Sequence, residues 1–283
     1  MLECYNLSFN SNKKEYSLNY DTGDIQTKIE GLIEGATRKD GLVIIEHDDI
    51  LKDWFPKTGC HLFLSHSSKD KELAIYIANK LYEKYNIKTF IDSQFWGFVD
   101  EAIVRVTHAL CKSSFNKDLL DYNKSMRVAS NFYLVLANAL TNAIDQSDSC
   151  IFLNTENSLN AKLKDEFATY SPWIYTELNF TSQVERRPHQ NRPKPMMESA
   201  SLMHKAFNRK TIGTEGLSIR YKTSLEHMIN VDDSRFEQVL NGVPLSRVEL
   251  EDSDSNNYRV FKCLDEIYKT LNASKNNDST LLY

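Results

Sequence analysis

The feature that most limits what this 283-residue chain can fold into is a strand–helix–strand pattern between residues 61 and 91. A short apolar run at 61–64 is followed by a polar turn and by a helical pattern over about 70–85, which Asn86 ends. A second apolar run occupies 87–91. Because one helix separates the two runs, we expect the strands to pair in parallel through a right-handed crossover. The pattern predicts an α/β domain whose ligands bind beyond the carboxyl ends of its strands.

The chain continues with elements of the same kind. Further helices are predicted around 99–106, 132–144, 171–185 and 259–271, and further strands at 149–153, 217–221 and 228–231. A polar stretch near 104–130 is predicted to be an insertion. Three prolines and four basic residues at 186–195 predict a loop or hinge.

These patterns suggest a domain of residues 58–272 with an accessory segment, 1–57, before it and a polar tail, 273–283, after it. Within 1–57 the sequence predicts a helix after Asp24 and a short buried strand at 42–45. His47, Asp48 and Asp49 form a possible half of a metal site, but one histidine beside two acids is more often a solvated strand end. We therefore predict no metal site.

Composition excludes several classes of protein. The net charge of −5 does not favour nucleic-acid binding, and no apolar run approaches the ~20 residues that span a bilayer. The first residues lack the basic start and apolar block of a secretory signal. Five scattered cysteines without a Cys-x-x-Cys pair suit a reducing compartment. We expect a cytoplasmic protein that contacts neither membrane nor nucleic acid.

The most informative single stretch is SPWIYTEL, residues 171–178. Ser171 is a suitable N-cap, and Pro172 is tolerated in the first helical turn because a missing N–H costs nothing there. Trp173 and Glu177 then share one face of the helix, four residues apart. The ordinary interpretation is a capped amphipathic helix with a core tryptophan and a surface acid. The functional alternative is an acid kept from water beside an aromatic ring.

Four motifs, in this order, resemble those of TIR (Toll/interleukin-1 receptor) domains. They are FLSHSSKD at 63–70, FIDS followed by Trp96-Gly97 at 90–97, DSCIFL at 148–153, and the Ser171-x-Trp173-x-x-x-Glu177-Leu178 helix start. The resemblance covers about residues 59–185 and implies a flavodoxin-like fold with a central parallel sheet flanked by helices, here with N- and C-terminal additions. The long stretches near 104–130 and after Arg186 depart from the family pattern.

TIR domains include scaffolds that bind other TIR domains and enzymes that split NAD at the nicotinamide–ribose bond. The resemblance implies that Glu177 is catalytic and that Trp173 lies against the ligand, with NAD as substrate and no cofactor. It also implies self-association through TIR loops, since a neighbouring subunit often completes the site. Bacterial members serve in antiphage defence, for example in Thoeris-type systems, where a nucleotide product signals to a downstream effector.

The chemistry fits a single acid. Nicotinamide leaves NAD as a neutral molecule, so the reaction needs no general acid, unlike glycoside hydrolysis with its two carboxylates. It needs stabilisation of an oxocarbenium-like ribose, which one carboxylate can supply. We therefore expect Glu177 to be the catalytic residue.

Candidate substrate-binding residues follow the strands that end near 65 and 91. The hydroxyls and backbone of Ser65 and Ser67 are candidates to meet ribose or phosphate oxygens, and His66 is either a base or a backbone-bonded loop residue. Asp92 either orders the following loop or touches ligand, and Trp96 either stacks on adenine or packs in the core.

Two other sites receive little support from the sequence. Without a Gly-x-Gly-x-x-Gly motif a Rossmann phosphate cradle is not supported, and without a Gly-x-Ser-x-Gly elbow a nucleophilic triad is not indicated. The remaining alternatives to an NAD-cleaving enzyme are a non-catalytic interaction module and a sensor that binds the nucleotide intact.

Overall fold

In this computed structural model, residues 1, 3–21, 37–39, 42–44, 59–159, 167–192, 219–243 and 256–273 are described. Their helices are α1 Lys71–Tyr85, α2 Ser93–Leu110, α3 Tyr122–Gln146, α4 Pro172–Thr181, α5 Asp233–Asn241 and α6 Asn256–Asn272. Their strands are β1 Glu3–Leu7, β2 Thr37–Lys39, β3 Leu42–Ile44, β4 Leu62–Ser65, β5 Thr89–Ile91, β6 Ser149–Leu153, β7 Ala168–Thr169, β8 Tyr221–Lys222 and β9 Ile229–Val231.

Five of these strands form a central parallel sheet in the order β5-β4-β6-β1-β9. The predicted strand–helix–strand unit is β4-α1-β5, with Phe63 opposite Phe90 in the parallel register. Helix α1 ends as predicted, because Asn86 adopts the left-handed conformation that closes a helix. The predicted fold class, an α/β domain of the flavodoxin-like kind, is confirmed.

Helices cover both faces of the sheet, and the strand residues alternate between two hydrophobic clusters. Tyr5, Leu64 and Ile151 point to the cluster that packs against α1, α5 and α6. Their neighbours Phe63 and Cys150 point to the cluster formed with α2, α3 and α4. Strands buried on both faces need apolar residues at nearly every position, which explains the continuous apolar runs in the sequence.

The first strand is the main difference from the expected organisation. We predicted residues 1–57 to be an accessory segment, but β1 lies inside the central sheet, paired in parallel with β6 on one side and β9 on the other. Its side chains Cys4, Tyr5 and Leu7 are buried. This strand was not predicted because it has neither a β-branched residue nor an apolar–polar alternation.

The predicted insertion at 104–130 is largely helical. Its first residues complete α2 and its last residues begin α3, so only 111–121 connect the two helices. Asp121 caps α3 by accepting a hydrogen bond from the Lys124 N–H at 3.0 Å, so the helix begins at Tyr122, ten residues before the predicted start at 132. Because α3 begins with polar residues, the spacing of apolar residues did not predict this start.

Two small antiparallel pairs complete the described structure. Strands β2 and β3 pair with each other, and Ile44 of the predicted buried strand is 38% exposed. Strands β7 and β8 pair beside α4. The predicted helix after Asp24 and the sequence His47-Asp48-Asp49 lie outside the described residues.

Candidate functional site

A cleft of about 740 Å³ opens where β4 and β5 end, between the start of α1 and the start of α4. Its volume falls in the usual range of small-molecule sites, roughly 300–1,000 Å³. Its lining includes His66, Ser67, Asp92, Ser93, Tyr133 and Trp173. The cleft therefore lies at the strand ends at which the parallel sheet predicted it.

Helix α4 brings its first turn, with the predicted Trp173, to this cleft. The Ser171 hydroxyl accepts a hydrogen bond from the Ile174 N–H at 3.3 Å, and Pro172 occupies the first turn, as the sequence predicted. This start directs Trp173 to the cleft wall, where its ring centroid lies 5.9 Å from that of Tyr133. The two rings give one side of the cleft an aromatic surface.

Glu177 lies one turn further along α4, beneath the cleft surface. Its side chain is 1% exposed, and the Ser65 hydroxyl donates to its Oε2 at 2.5 Å. Its other oxygen, Oε1, makes no well-directed hydrogen bond to the described residues, so the neighbouring Asp92 acts on Glu177 mainly through charge. Glu177 thus adjoins the lining residue Asp92 without lining the cleft itself.

The environment of Glu177 disfavours its charged form. Burial raises its pKa well above the ordinary value, and the negative charge of Asp92 raises it further, against the opposing effect of the Ser65 hydrogen bond. The surroundings of Glu177 therefore favour its protonated form more than water does. The two carboxyl groups together resemble other pairs in which like charges in close contact do not both ionise.

Three side chains at the base of the cleft form a continuous chain of contacts. The Ser93 Oγ lies 2.8 Å from His66 Nε2, and Asp92 Oδ1 lies 3.1 Å from His66 Nδ1. The Leu64 carbonyl oxygen is also 3.2 Å from Nδ1. Burial alone would lower the pKa of His66, but the charge and contact of Asp92 outweigh it and raise the pKa.

The opposite wall is held by bonds between two loops. Asp70, at the end of the short 3₁₀ turn Ser68–Asp70, accepts hydrogen bonds from Thr155 Oγ1 at 2.5 Å and Asn157 Nδ2 at 2.6 Å. These bonds join the loop after β4 to the loop after β6. The wall of the cleft is therefore fixed by polar contacts between strand ends.

The structure brings together most of the predicted site residues. His66, Ser67, Asp92 and Trp173 line the cleft, whereas Ser65 is fully buried and bonds to Glu177, which does not line the cleft either. Trp96 belongs to the first turn of α2 rather than to a loop, and its side chain lies outside the described structure.

Sequence reasoning missed several residues that line the cleft. Ser93 was part of a recognised motif, but its role depends on a contact with His66, 27 residues away. Tyr133 lies in α3 and Tyr170 directly after β7, in stretches that carry no binding motif, and only the tertiary fold brings them both to the cleft. No sequence signal distinguishes these tyrosines from other aromatic residues of the chain.

Comparisons with known proteins found no matching family model, no matching curated protein and no matching solved structure. Within the described ranges, none of the helices combines the length and the apolar character needed to cross a membrane.

Proposed function

We propose that this protein cleaves NAD at the bond between nicotinamide and ribose. The observation that carries the proposal is the placement of Glu177 directly behind Asp92, which lines the strand-end cleft, with Trp173 on the cleft wall. The resemblance of residues 59–185 to TIR domains supports the same activity. Both lines of support meet at Glu177.

The carboxyl pair suits a substrate that develops positive charge. An oxocarbenium-like ribose above Asp92 would favour ionisation of Glu177, because a nearby positive charge lowers the pKa of an acid. The proton that Glu177 gives up passes to water, and the pair then carries more negative charge in the transition state than in the resting state. Such a difference stabilises the transition state selectively, which is what accelerates a reaction.

The cleft also suits the other parts of a dinucleotide. Trp173 and Tyr133 offer aromatic faces to a nicotinamide or adenine ring. Ser67, at the N-terminal end of the 3₁₀ turn and α1, offers a hydroxyl and adjoining backbone N–H groups to phosphate or ribose oxygens. NAD is the substrate in this proposal, and no further cofactor takes part.

The wider setting follows from the TIR resemblance. In this setting the product is a nucleotide signal for a downstream effector in bacterial antiphage defence. Self-association through the loops around the cleft completes the site. The protein acts in the cytoplasm. The five free, buried cysteines suit a reducing compartment. The rival function is a non-catalytic TIR module that assembles through the same loops.

The test is release of nicotinamide from NAD by the purified full chain, followed by chromatography, with mass spectrometry of the second product. Glu177→Gln matches the protonated acid in size and charge, so it should fold normally yet lose the ability to ionise. We expect its rate to fall by about 10²-fold or more. Glu185→Gln, at an exposed position beyond α4, is the matched control and should retain the wild-type rate.

Two results would contradict the proposal. A wild-type rate in Glu177→Gln would remove the catalytic role of that acid. The interaction module would be favoured if the wild-type protein released no nicotinamide from NAD at any protein concentration, including crowded solutions that promote self-association.

A further inference from the structure

We propose that Ser93, His66 and Asp92 form a nucleophilic triad that gives the cleft an acyl-transfer activity toward esters of apolar acids. The proposal does not rest on NAD cleavage, because its reacting atom is the Ser93 hydroxyl rather than the Glu177 carboxyl. It rests on the contacts among three side chains that line the cleft.

The first argument is the order of the contacts. A nucleophilic serine needs a base within hydrogen-bond distance, and the base needs a third group that orients it. Ser93 Oγ meets His66 Nε2 at 2.8 Å, and the other ring nitrogen meets Asp92 Oδ1 at 3.1 Å. Ser93 and His66 are therefore placed for proton transfer. The Leu64 carbonyl takes the directed hydrogen bond of Nδ1, and Asp92 Oδ1 acts on the ring through its charge at 3.1 Å rather than through a well-directed hydrogen bond.

The second argument is the tautomer of His66. Its Nδ1 faces the Leu64 carbonyl oxygen at 3.2 Å as well as the Asp92 carboxylate. A carbonyl oxygen only accepts hydrogen bonds, so Nδ1 carries the proton. In the neutral ring Nε2 then holds a lone pair directed at the Ser93 hydroxyl, which is the tautomer that a general base needs.

The third argument is the behaviour of Asp92. It occupies the N-cap position of α2, where an aspartate usually accepts a hydrogen bond from the first turn of its helix. Here its side chain makes no capping bond and lies beside His66 instead. Asp92 and His66 are 4% and 3% exposed, whereas Ser93 is half-buried on the cleft surface. The orienting groups are covered and the nucleophile is accessible.

The position of Ser93 also favours an acyl transition state. Ser93 follows β5 and Asp92 and is the first residue of α2, so it lies at a strand–turn–helix junction. The first N–H groups of a helix lack partners within the helix and can stabilise a developing oxyanion. The aromatic wall of Trp173 and Tyr133 suits an apolar acyl group.

The reaction balances without a further reactant except water. The Ser93 oxygen bonds to the acyl carbon, its proton moves to His66 Nε2, and that proton then passes to the departing alcohol as the ester bond breaks. Water next attacks the acyl-serine and gives a proton to His66. That proton returns to Ser93 as the carboxylic acid leaves.

The experiment treats the full chain with a fluorophosphonate, which phosphonylates activated serines with loss of fluoride, and maps the adduct by mass spectrometry. We expect one adduct per chain, at Ser93, and a burst of p-nitrophenol from p-nitrophenyl butyrate. His66→Gln should slow labelling by about 10²–10⁴-fold, the usual contribution of a general base. Ser93→Ala should abolish it.

Ser234 provides the matched control, since this exposed first-turn serine bonds to a carboxylate, Asp232 Oδ1 at 2.8 Å, rather than to an imidazole. It should remain unlabelled, and Ser234→Ala should label like wild type. Should His66→Gln not fold, Ser93→Cys answers the same question, because a thiol paired with imidazole reacts with iodoacetamide at pH 6 and the five native cysteines are buried.

Label spread evenly over exposed serines, an unlabelled Ser93, a wild-type labelling rate in folded His66→Gln, or an ordinary thiol reactivity in Ser93→Cys would each overturn the triad. Nicotinamide release is measured separately in the same preparations. A failed triad and a failed NAD-cleavage proposal are thus distinguishable.

Discussion

At the scale of single residues, several titratable side chains at and below the base of the cleft influence one another's protonation. Burial and the neighbouring Asp92 raise the pKa of Glu177, and Asp92 also lies beside His66 and raises the pKa of that ring. One negative charge therefore supports two roles, since it opposes ionisation of Glu177 and favours protonation of His66. A substitution at Asp92 should therefore change the pKa values of both Glu177 and His66.

The titration of His66 gives a pH prediction. Only the neutral ring accepts the Ser93 proton, so fluorophosphonate labelling should rise with pH, with a midpoint above the ordinary histidine value of about 6.5. Besides Asp92, the charged groups near the ring are Asp70, which raises its pKa, and Lys71, which lines the same cleft.

Asp92→Asn should move that midpoint to lower pH and reduce the plateau rate, because it removes the charge that stabilises the imidazolium and weakens the orientation of the ring. The measurement is the labelling rate at Ser93 between pH 5 and 9, corrected for hydrolysis of the reagent. A profile without pH dependence, or a midpoint that is unchanged in Asp92→Asn, would contradict the assigned contacts.

At the scale of elements, the segment after α4 is fixed to the opposite end of the sheet by a buried ion pair. Arg192 donates to both oxygens of Asp148, at 2.8 and 2.9 Å, and Asp148 also accepts from the Tyr268 hydroxyl of α6 at 2.7 Å. Burial alone would raise the pKa of Asp148, but the bonds and charge of Arg192 lower it. The predicted loop at 186–195 is thus anchored to the core where it is described.

Removing this cation should be costly. Asp148 is fully buried, so Arg192→Ala leaves a carboxylate without its partner, and we expect a loss of about 3–5 kcal/mol in the free energy of unfolding at pH 7. Arg105→Ala, which breaks a half-exposed pair with Glu101, should cost no more than about 1 kcal/mol. Urea unfolding of both variants gives the comparison.

The same pair has a defined pH dependence. Because the folded pKa of Asp148 is lowered, its stabilising contribution is complete above the unfolded pKa of about 3.9 and is lost as the pH falls through the folded value. In Arg192→Ala burial raises that pKa instead, so the difference in stability between wild type and variant should narrow between pH 7 and pH 4. A constant difference would show that Asp148 is not the group involved.

The elements that the sequence predicted well are those whose pattern is local. The apolar runs of β4, β5 and β6 and the Ser171 start of α4 depend on neighbours in the chain, and all four are confirmed. The place of β1 and the contact between Ser93 and His66 depend on partners far along the chain. No periodicity within a short window reports such contacts, which explains why both were missed.

At the scale of the whole molecule, β1 makes the N-terminal residues part of the core rather than a layer upon it. Leu7 is fully buried in the cluster that contains Leu64, Ile151 and Val231 from three other strands. The sheet therefore has no inner boundary at residue 57 along which an accessory segment separates from the rest.

Leu7→Ala tests this organisation. A buried leucine truncated to alanine costs about 2–5 kcal/mol, and because β1 is inside the sheet we expect that loss in a single cooperative unfolding transition. Tyr16→Ala, at a residue 77% exposed, should change stability by no more than about 0.5 kcal/mol. A loss below about 1 kcal/mol in Leu7→Ala, or a separate early transition, would indicate that β1 is not integral to the core.

The placement of β1 also bears on how the chain reaches its native state during synthesis. The strand is translated well before its two neighbours in the sheet, which begin at Ser149 and Ile229. Contacts that close such long loops are slow to form. The apolar side chains of β1 therefore stay without their partner strands while most of the domain is still being translated. Chaperones that bind exposed apolar segments would therefore stay bound longest at this strand.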